Sequence, residues 1–592
     1  MGQIGFMLIL VGAVVSAVAF AWLGAAALRR SPAASLPLPA DEPLDKRWLW
    51  FLVAIIIGGA LIRFIGIDAK GLSHPEAYIP GLDLAPGISE PPPRHGFLET
   101  VIWHFYAEPH PFGYYLAMWA WTKAFGATLA SIRVPEALLG VLSLFAIYRV
   151  GKLSHEPRVG VVAAALLAAH GFHIFWSQVA RMYVPGAFLG LVSTWLLLEM
   201  HRAHRPRPAI ELGYVATNVA GALTVEFFWP LLCTQILWAA LHQRAGADRK
   251  MSRIGYFQAL SFILAAPMLS HAWMTARTEA VPPPTLEFLA NFFSFGFLFQ
   301  HGAYPETVPR LPWAAGLVVL AISLALIRYG LLAPTAEKDE ADPPAAPSIG
   351  PLVLAAIGVC VLMVGIAGVA NVRNEELAAL AVLPLLVFAV VWIVARTRSG
   401  PARFESLHPL LTRARNLTAL IPLQAFVPAI LLFAISFEIR LTAPRAFAIF
   451  VPYLLIVVAA GVVSMPRRNL AIAALAVIFP ASAILLHDVP VAARDYQGLA
   501  RAINSRIQAG DLIFTQPRDW AYTPMYFYLD HARLVSADYA GALQKAPRSR
   551  VWVLSLLNQP PTVEMAAALS GYRPSTKVKA FKAEAVLFVP TP

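Results

Sequence analysis

The chain has 592 residues, of which 58% are hydrophobic and only 14% are charged. Soluble domains carry about 45–50% apolar and about 25% charged residues, so this composition excludes a set of soluble domains and indicates a membrane protein. The formal net charge of +12 is therefore interpreted first as topogenic charge rather than as a sign of nucleic-acid binding. The two cysteines, Cys233 and Cys360, lie inside apolar runs, which argues against a disulfide framework or a cysteine-based metal site.

Apolar runs long enough to cross a bilayer recur along residues 1–487. The first, 4–28, has no basic segment before it and is followed by two arginines, which predicts an uncleaved span with an external N-terminus. The further runs lie at 48–67, 131–150, 158–176, 183–200, 212–228, 229–243, 254–275, 311–331, 350–371, 377–395, 417–437, 446–465 and 470–487. The sequence thus predicts about 13–14 transmembrane helices, because 212–243 is also consistent with one broken hairpin.

Lysine and arginine concentrate in alternate loops along the chain. The cation-rich loops contain residues 29–47, 149–158, 202–207, 244–253, 396–415 and 467–468. Cytoplasmic loops collect such charge, so these loops are predicted to be cytoplasmic. The segments 68–112, 276–310 and 488–592 are then external.

The last segment, 488–592, is more polar than the rest of the chain. Strand-like runs at 511–515 and 551–555 alternate with amphipathic stretches such as 496–508, which predicts a small α/β domain. The predicted fold class is therefore a polytopic α-helical membrane protein with a small C-terminal α/β extracytoplasmic domain. The absence of a P-loop or other Gly-rich phosphate motif argues against an ATP-driven pump.

The external loop 68–112 is unusually rich in carboxylates and histidines. Its candidate groups are His74, Glu76, Asp83, Glu90, His95, Glu99, Glu108 and His110. A general base or a metal ligand needs a carboxylate held where lipid meets water, and Glu76 follows the second span by about nine residues. The alternative is that these are solvated loop charges.

Several arginines lie at predicted external turns or at the outer ends of spans. They are Arg63, Arg133, Arg181, Arg440 and Arg445. A guanidinium fork suits phosphate oxygens, so these residues are candidates for binding an anionic headgroup. The alternative is snorkelling at the interface. Glu226 lies at a span end, where an ion pair or a helix cap is as good an account as function.

Three motifs occur in order along the first 200 residues. The first is Arg-Phe-x-Gly-Ile at 63–67, followed by an acidic residue before Ala-Tyr at 77–78. The second is His-Pro-x-x-Tyr-Tyr at 110–115, followed by Phe-Gly at 125–126 and Arg-Val-Pro-Glu-Ala-Leu-Leu-Gly at 133–140. The third is Phe-His-Ile-x-x-Ser-Gln-x-Ala-Arg-Met-Tyr at 172–183. Together they resemble the GT-C membrane glycosyltransferases, specifically glycosyltransferase family 39, with its dolichyl-phosphate-mannose-protein mannosyltransferases, and the bacterial aminoarabinose-transferase-like group.

This resemblance implies an inverting transferase that uses a polyprenyl-phosphate sugar and has its active site open to the periplasm. An acidic pair in the first external loop would supply the base or bind a metal, and its second member corresponds to Glu76. The sequence departs from the family pattern at Pro75 and Val179, which replace the usual first acid and the usual Glu of the third motif. His74, Asp83 or Glu108 are candidates to compensate.

The resemblance also suggests roles for the remaining candidates. Gln178, Arg181 and Tyr183 match the third motif and would contact the lipid-linked phosphate. The predicted base is Glu76, with the phosphate held by Arg181 together with Arg440 or Arg445. The other predicted substrate-binding residues are His110, which would position the acceptor or a headgroup, Tyr114 and Arg63.

No cofactor is assigned with certainty, and a divalent metal near Glu76 and His74 stays open. The predicted location is the bacterial inner membrane, with the N-terminus and the C-terminal domain in the periplasm. The acceptor could be a lipid, a glycan or a protein. Two alternatives use the same features: a lipid-linked-sugar transporter or flippase, and a catalytically silent protein that binds polyprenyl phosphate in an envelope complex.

Overall fold

The computed structural model describes most of the chain between Leu44 and Pro592. The described residues are 44–69, 71–82, 96–106, 110–203, 206–243, 249–275, 419–437, 444–464, 469, 495–516, 522–556, 560–580 and 583–592. The predicted spans at 4–28, 311–331, 350–371, 377–395 and 470–487 lie outside them, as do Asp83, Glu108, Arg440 and the predicted boundary between residues 487 and 488.

The described part of residues 44–464 is helical. Its α-helices are α1 (Lys46–Phe64), α2 (Phe97–Tyr106), α3 (Phe112–Phe125), α4 (Leu129–Ser154), α5 (Pro157–Ala168), α6 (Gly171–Ser177), α7 (Tyr183–Arg202), α8 (Pro208–Thr224), α9 (Phe228–Gln243), α10 (Arg249–Thr275), α11 (Leu420–Ile435) and α12 (Val451–Val463). Two 3₁₀ turns, His74–Tyr78 and Pro444–Phe447, lie between helices. A mainly helical membrane protein is thus confirmed.

Within the described residues, three helices are long and apolar enough to cross a membrane: α1, α4 and α7. Their bounds confirm the spans predicted at 48–67, 131–150 and 183–200. The run at 158–176 is instead two helices, α5 and α6, bent by 65° at the break and able to form a fourth span. At the bend, Arg63 donates to the carbonyls of Leu167 (3.1 Å) and Ala168 (3.4 Å) at the end of α5, and His170 then caps α6.

Helices α4 and α5 approach closely through small residues. A Cβ built on Gly151 would lie 2.7 Å from the Cα of Gly160, so both positions need glycine for the backbones to meet. Small residues at a helix crossing are how membrane helices gain packing contacts where lipid supplies no hydrophobic driving force. The N-terminus of α4 is fixed by Thr128, whose side chain accepts from the backbone N–H of Ser131.

A buried polar network joins α7, α8, α9, α11 and α12. Tyr214 donates to Gln235 (2.6 Å), Ser193 bonds Asn218 (2.6 Å), and Thr194 bonds Tyr453 (2.9 Å). In addition, Gln424 donates to Thr194 (2.9 Å). In a bundle of apolar helices such bonds satisfy groups that lipid cannot solvate, and they fix which helix faces meet.

The C-terminal region is the predicted small α/β unit. Its elements are α13 (Tyr496–Asn504), β1 (Leu512–Phe514), α14 (Met525–Tyr528), β2 (Leu534–Val535), α15 (Tyr539–Lys545), β3 (Val551–Leu556), α16 (Val563–Ala568), β4 (Tyr572–Ala580) and β5 (Ala583–Pro590). The strand order is β2-β1-β3-β5-β4. Strand β1 is parallel to β2 and β3, whereas β5 is antiparallel to β3 and β4.

This α/β unit packs on the segment that follows α1. The backbone N–H of Leu72 donates to the hydroxyl of Tyr528 at the end of α14. A Cβ built on Gly71 would lie 3.3 Å from the Cβ of Gln497 in α13. Leu72, Leu499 and Tyr526 belong to one continuous buried core with the membrane helices. The α/β unit therefore covers the turn that carries Glu76.

Candidate active site

Glu76 lies in the 3₁₀ turn His74–Tyr78, shortly after the C-terminal end of α1. Its carboxylate reaches back to the start of the turn, where Oε2 accepts from the backbone N–H of Ser73 (2.9 Å) and from its hydroxyl (2.9 Å). Pro75 fits the first turn because a proline lacks the N–H that would be unbonded there. The Ser-His-Pro-Glu sequence thus forms a self-capped turn that aims Glu76 inward.

Arg133 of α4 forms a buried, bidentate ion pair with Glu76. Its Nε donates to Oε1 (2.7 Å) and its Nη2 donates to Oε2 (2.8 Å), and the two side chains are 1% and 0% exposed. The backbone N–H of Ala180 also donates to Oε1 (2.9 Å). Arg133 further donates to the carbonyls of Ile67 (2.9 Å) and Gly71 (3.0 Å). Glu76 and Arg133 therefore join α1, α4 and the turn before α7.

The ionisation of Glu76 follows from these contacts. Burial raises the pKa of a carboxyl group, but the charge of Arg133 and the hydrogen bonds from Arg133, Ala180 and Ser73 together lower the pKa of Glu76 below its usual value. A carboxylate that already accepts five hydrogen bonds offers no ready acceptor to a substrate hydroxyl. Its role as the base stays a prediction, and the geometry weighs against it.

The same contacts do not fit a metal at Glu76. Each of its oxygens faces N–H or O–H donors, one of them a guanidinium, where a cation would be repelled. The imidazole of His74 bonds the hydroxyl of Tyr78 (3.0 Å). Across the described residues no group of three or more His, Cys, Asp and Glu side chains could hold a metal ion.

A second cluster forms around Arg181, in the turn between α6 and α7. One Nη of Arg181 donates to the hydroxyl of Tyr115 (2.8 Å) and to the carbonyl of Pro75 (3.2 Å), and the other donates to Nε2 of His110 (2.8 Å). The Nδ1 of His110 lies 3.0 Å from Oε1 of Glu226, which stands between α8 and α9. The structure therefore brings two predicted site residues, His110 and Arg181, into direct contact.

Unlike Glu76, the pair of His110 and Glu226 is partly accessible. The two side chains are 16% and 14% exposed. Burial raises the pKa of Glu226, but His110, whose imidazolium form attracts the carboxylate, and then Arg181 lower it below the usual value. The second oxygen of Glu226, Oε2, is buried and has no hydrogen-bond partner among the described residues. This cluster combines a cation, an imidazole and a carboxylate at one end of the helical bundle.

Tyr114 lies beside this cluster but bonds a different carboxylate. Its hydroxyl donates to Oε1 of Glu136 (2.6 Å), and its ring stacks edge-on against Tyr115 with centroids 5.2 Å apart. Both Tyr114 and Glu136 are buried. Glu136 follows Arg133 by three residues, so the two lie on one face of α4.

Two further predicted site residues, Arg63 and Gln178, make contacts that hold helices together. Arg63 donates to Nδ1 of His173 (2.9 Å) besides the carbonyls that end α5, and it is fully buried. The amide of Gln178 donates to the carbonyls of Ile62 (3.1 Å) and Ile65 (3.2 Å), at the end of α1. These contacts are structural, and contact of either side chain with a lipid phosphate stays a prediction.

Tyr183 and Arg445 complete the predicted set within the described residues. The ring of Tyr183 packs edge-on against Trp176 with centroids 4.6 Å apart, and the guanidinium of Arg181 lies 5.9 Å from its centroid. Arg445 is half-buried in the 3₁₀ turn Pro444–Phe447. The remaining predicted residues, Asp83, Glu108 and Arg440, lie outside the described residues.

Sequence reasoning gave little weight to three residues that the structure places here. Glu136 and Tyr115 were not singled out, and Glu226 was set among the weaker candidates. The spacing of Arg133 and Glu136 within one apolar run is a signal, because two charges on one face of a span need partners. The contact of Glu226 with His110 joins residues 116 positions apart, and no local pattern predicts it.

One family model matches part of the chain. A family model described as dolichyl-phosphate-mannose-protein mannosyltransferase matches residues 109–271. The predicted resemblance is confirmed over this stretch. The matched stretch is less than half of the chain and includes His110, Arg133, Arg181 and Glu226. No curated protein matches the chain.

Several solved structures are similar in outline, all at low identity. The ArnT crystal structure from Cupriavidus metallidurans, bound to undecaprenyl phosphate, is 13% identical with a TM-score of 0.40, and the match covers 92% of this chain and 98% of that one. The archaeal oligosaccharyltransferase AglB from Archaeoglobus fulgidus, in complex with an inhibitory peptide and a dolichol-phosphate, is 10% identical with a TM-score of 0.44 and coverages of 91% and 74%. The arabinofuranosyltransferase AftD from mycobacteria is 12% identical with a TM-score of 0.40 and coverages of 94% and 41%.

Proposed function

We propose that the protein is an inverting glycosyltransferase of the bacterial inner membrane. It moves a sugar from a polyprenyl-phosphate donor to an acceptor hydroxyl on a lipid, a glycan or a protein, at the periplasmic face. The observation that carries this proposal is the family-model match over residues 109–271, because that stretch contains the cluster of Arg181, His110 and Glu226. The cluster combines a cation for a phosphate with groups that can accept a proton.

The chemistry of such a transfer needs both kinds of group. The leaving group is a lipid phosphate, so negative charge grows on its oxygen as the glycosidic bond breaks, and a guanidinium stabilises that charge. The acceptor hydroxyl is a weak nucleophile, and a base that takes its proton contributes about 10²–10⁴-fold. In the proposal Arg181 binds the phosphate, with Arg440 or Arg445 as the predicted second cation.

A transfer assay tests the proposal. Membranes containing the full chain are incubated with a radiolabelled polyprenyl-phosphate sugar, and label in the lipid, glycan and protein fractions is counted. Arg181→Gln removes the cation, and we expect loss of about 1.5–3 kcal/mol of donor stabilisation, or roughly 10–150-fold in kcat/KM.

The matched control is Arg149→Gln. Arg149 of α4 pairs with Glu199 of α7 (2.7 Å), and Glu199 lies about 24 Å along α7 from the turn that holds Arg181. The control removes a paired guanidinium far from the proposed site, so transfer per amount of folded protein should stay within about twofold of the wild type. No transfer by the wild type despite bound undecaprenyl phosphate would favour the silent binding protein. Movement of the labelled donor across sealed vesicles without transfer would favour the flippase.

A further inference from the structure

The proposed transfer needs a base that takes the proton from the hydroxyl of the acceptor substrate. The candidate bases among the described residues differ in how accessible they are. Glu76 is 0% exposed and all its hydrogen-bonding positions are occupied by protein donors. His110 and Glu226 are 16% and 14% exposed, and they contact the arginine proposed to hold the donor phosphate. A proton acceptor must lie within hydrogen-bond reach of the substrate, which favours the accessible pair.

The contacts of His110 fix which ring nitrogen carries the proton. An arginine side chain only donates hydrogen bonds, so Nε2 of His110 must accept from Arg181. The ring proton is then on Nδ1, from which it is donated to Oε1 of Glu226. This leaves the basic lone pair of the imidazole on Nε2, the nitrogen that faces the proposed phosphate-binding group.

We propose that His110 is the general base of the transfer and that Glu226 is its positioning residue. The inference rests on the proposed function and deepens it, because it assigns the proton acceptor. A lipid-linked phosphate competes with His110 for Arg181, and charge-assisted bonds to phosphate are stronger than a bond to a neutral imidazole. Donor binding therefore draws Arg181 away and frees Nε2.

The step balances as a single displacement. The acceptor O–H proton moves to Nε2 of His110, and the acceptor oxygen forms a bond to the anomeric carbon of the sugar. The bond from that carbon to the phosphate oxygen breaks, and its electron pair stays on the polyprenyl phosphate, where Arg181 balances the charge. The imidazolium then loses its proton to water, which restores the base.

The imidazolium that the step creates has a carboxylate, that of Glu226, within hydrogen-bond distance of its Nδ1. Among the described residues, the charged and titratable groups facing it are Glu226, Arg181 and, through Arg181, the phenol of Tyr115. Once Arg181 has moved to the phosphate, the nearest charge is the carboxylate of Glu226, at 3.0 Å from Nδ1. Attraction between this carboxylate and the imidazolium strengthens in a site that excludes water.

The test measures the pH dependence of transfer by the full chain in four variants. In the wild type kcat/KM should rise with pH through the range in which an imidazole loses its proton. His110→Gln should lower kcat by about 10²-fold or more and abolish this rise, and His110→Ala should regain activity when imidazole is added. Glu226→Gln should lower kcat by about tenfold or more with little change in the donor KM, whereas Glu226→Asp should retain most activity.

Binding of undecaprenyl phosphate to each variant shows that the chain is folded. The inference is overturned if the wild type transfers sugar and His110→Gln does so within about threefold, with the same pH profile. It is also overturned if added imidazole leaves a folded His110→Ala variant inactive. If the wild type transfers no sugar at all, the proposed function itself fails and the inference fails with it, so the two failures differ in the wild-type measurement.

Discussion

Two carboxylates near the ends of helices, Glu76 and Glu226, bond nitrogen-bearing side chains in opposite ways. Glu76 is fully buried and forms an ion pair with Arg133, here called the sealed pair. Its oxygens accept five hydrogen bonds, two of them from Arg133. Glu226 is partly exposed, accepts from His110 alone among the bonds described, and has a buried oxygen without a partner. A saturated pair holds a structure together, whereas an unsaturated one can exchange partners during a reaction.

The two pairs are connected through the turn His74–Tyr78 and the residues before α7. Ala180 donates to Glu76, and the next residue, Arg181, donates to the carbonyl of Pro75. The pair of Glu76 and Arg133 therefore holds the backbone just before Arg181 and the turn whose Pro75 carbonyl the Arg181 side chain contacts. We propose that Glu76 positions this site through these contacts and does not contact the substrate.

The largest expected effect follows from breaking the sealed pair. Glu76→Gln leaves the charge of Arg133 buried without its partner, and we expect a loss of about 3–5 kcal/mol in the free energy of unfolding. Glu226→Gln should cost much less, because Glu226 is partly exposed. Thermal unfolding of the purified protein in detergent compares the two variants.

The double variant Glu76→Gln/Arg133→Met is the control for this prediction. It removes both charges, and replacement of a buried ion pair by uncharged groups is often close to neutral, so much of the lost stability should return. A double variant no more stable than Glu76→Gln would show that the pair contributes through its hydrogen bonds rather than through its charges.

The next largest effect is expected at low pH, where protonation of Glu76 should lower the stability of the protein more than protonation of Glu226. The pKa of folded Glu76 is below its usual value near 4.5, so its contribution to stability is complete above that value and is lost as pH falls through the lowered pKa. We expect Tm to fall as the pH drops below about 4.5 in the wild type and in Glu226→Gln, and to fall less in the double variant. An equal fall in all three proteins would assign acid sensitivity to other carboxylates.

Sequence reasoning predicted the elements better than it predicted the partners. The apolar runs that became α1, α4 and α7 were long, and local hydrophobicity alone fixes such spans. The bend after Ala168 was missed because Arg63, 105 residues earlier, bonds the helix end. The sequence indicated both Glu76 and Arg181 as site residues and predicted Glu76 as the base. It did not predict the ion pair between Glu76 and Arg133, because these residues are 57 positions apart in the chain.

A smaller effect is expected where the α/β unit covers the sealed pair. The hydroxyl of Tyr528 accepts from the backbone N–H of Leu72, which is 1% exposed, and burial raises the pKa of Tyr528 to about 12. Tyr528→Phe leaves that N–H without its acceptor, at a cost of about 1–3 kcal/mol. Hydrogen exchange should speed up over residues 71–76.

The matched control is Tyr572→Phe. Tyr572 lies on β4, an edge strand of the same sheet, and removing its hydroxyl tests a tyrosine of the same unit away from Leu72. Exchange over residues 71–76 should then match the wild type. Unchanged exchange in Tyr528→Phe would show that the α/β unit holds this segment through apolar contacts, such as those of Leu499, rather than through the Tyr528 hydrogen bond.

The smallest effect is expected deep among the helices, away from both carboxylates. Tyr453 of α12 bonds Thr194 of α7, but Thr194 also bonds Gln424 (2.9 Å) and the carbonyl of Gly190 (3.0 Å). Tyr453→Phe therefore leaves no partner unsatisfied, and side-chain bonds between membrane helices average only about 0.6 kcal/mol. Thr194→Val removes the shared hydroxyl and should cost more. If the double variant costs as much as the two single variants added together, the hydrogen bond between Tyr453 and Thr194 contributes nothing to stability.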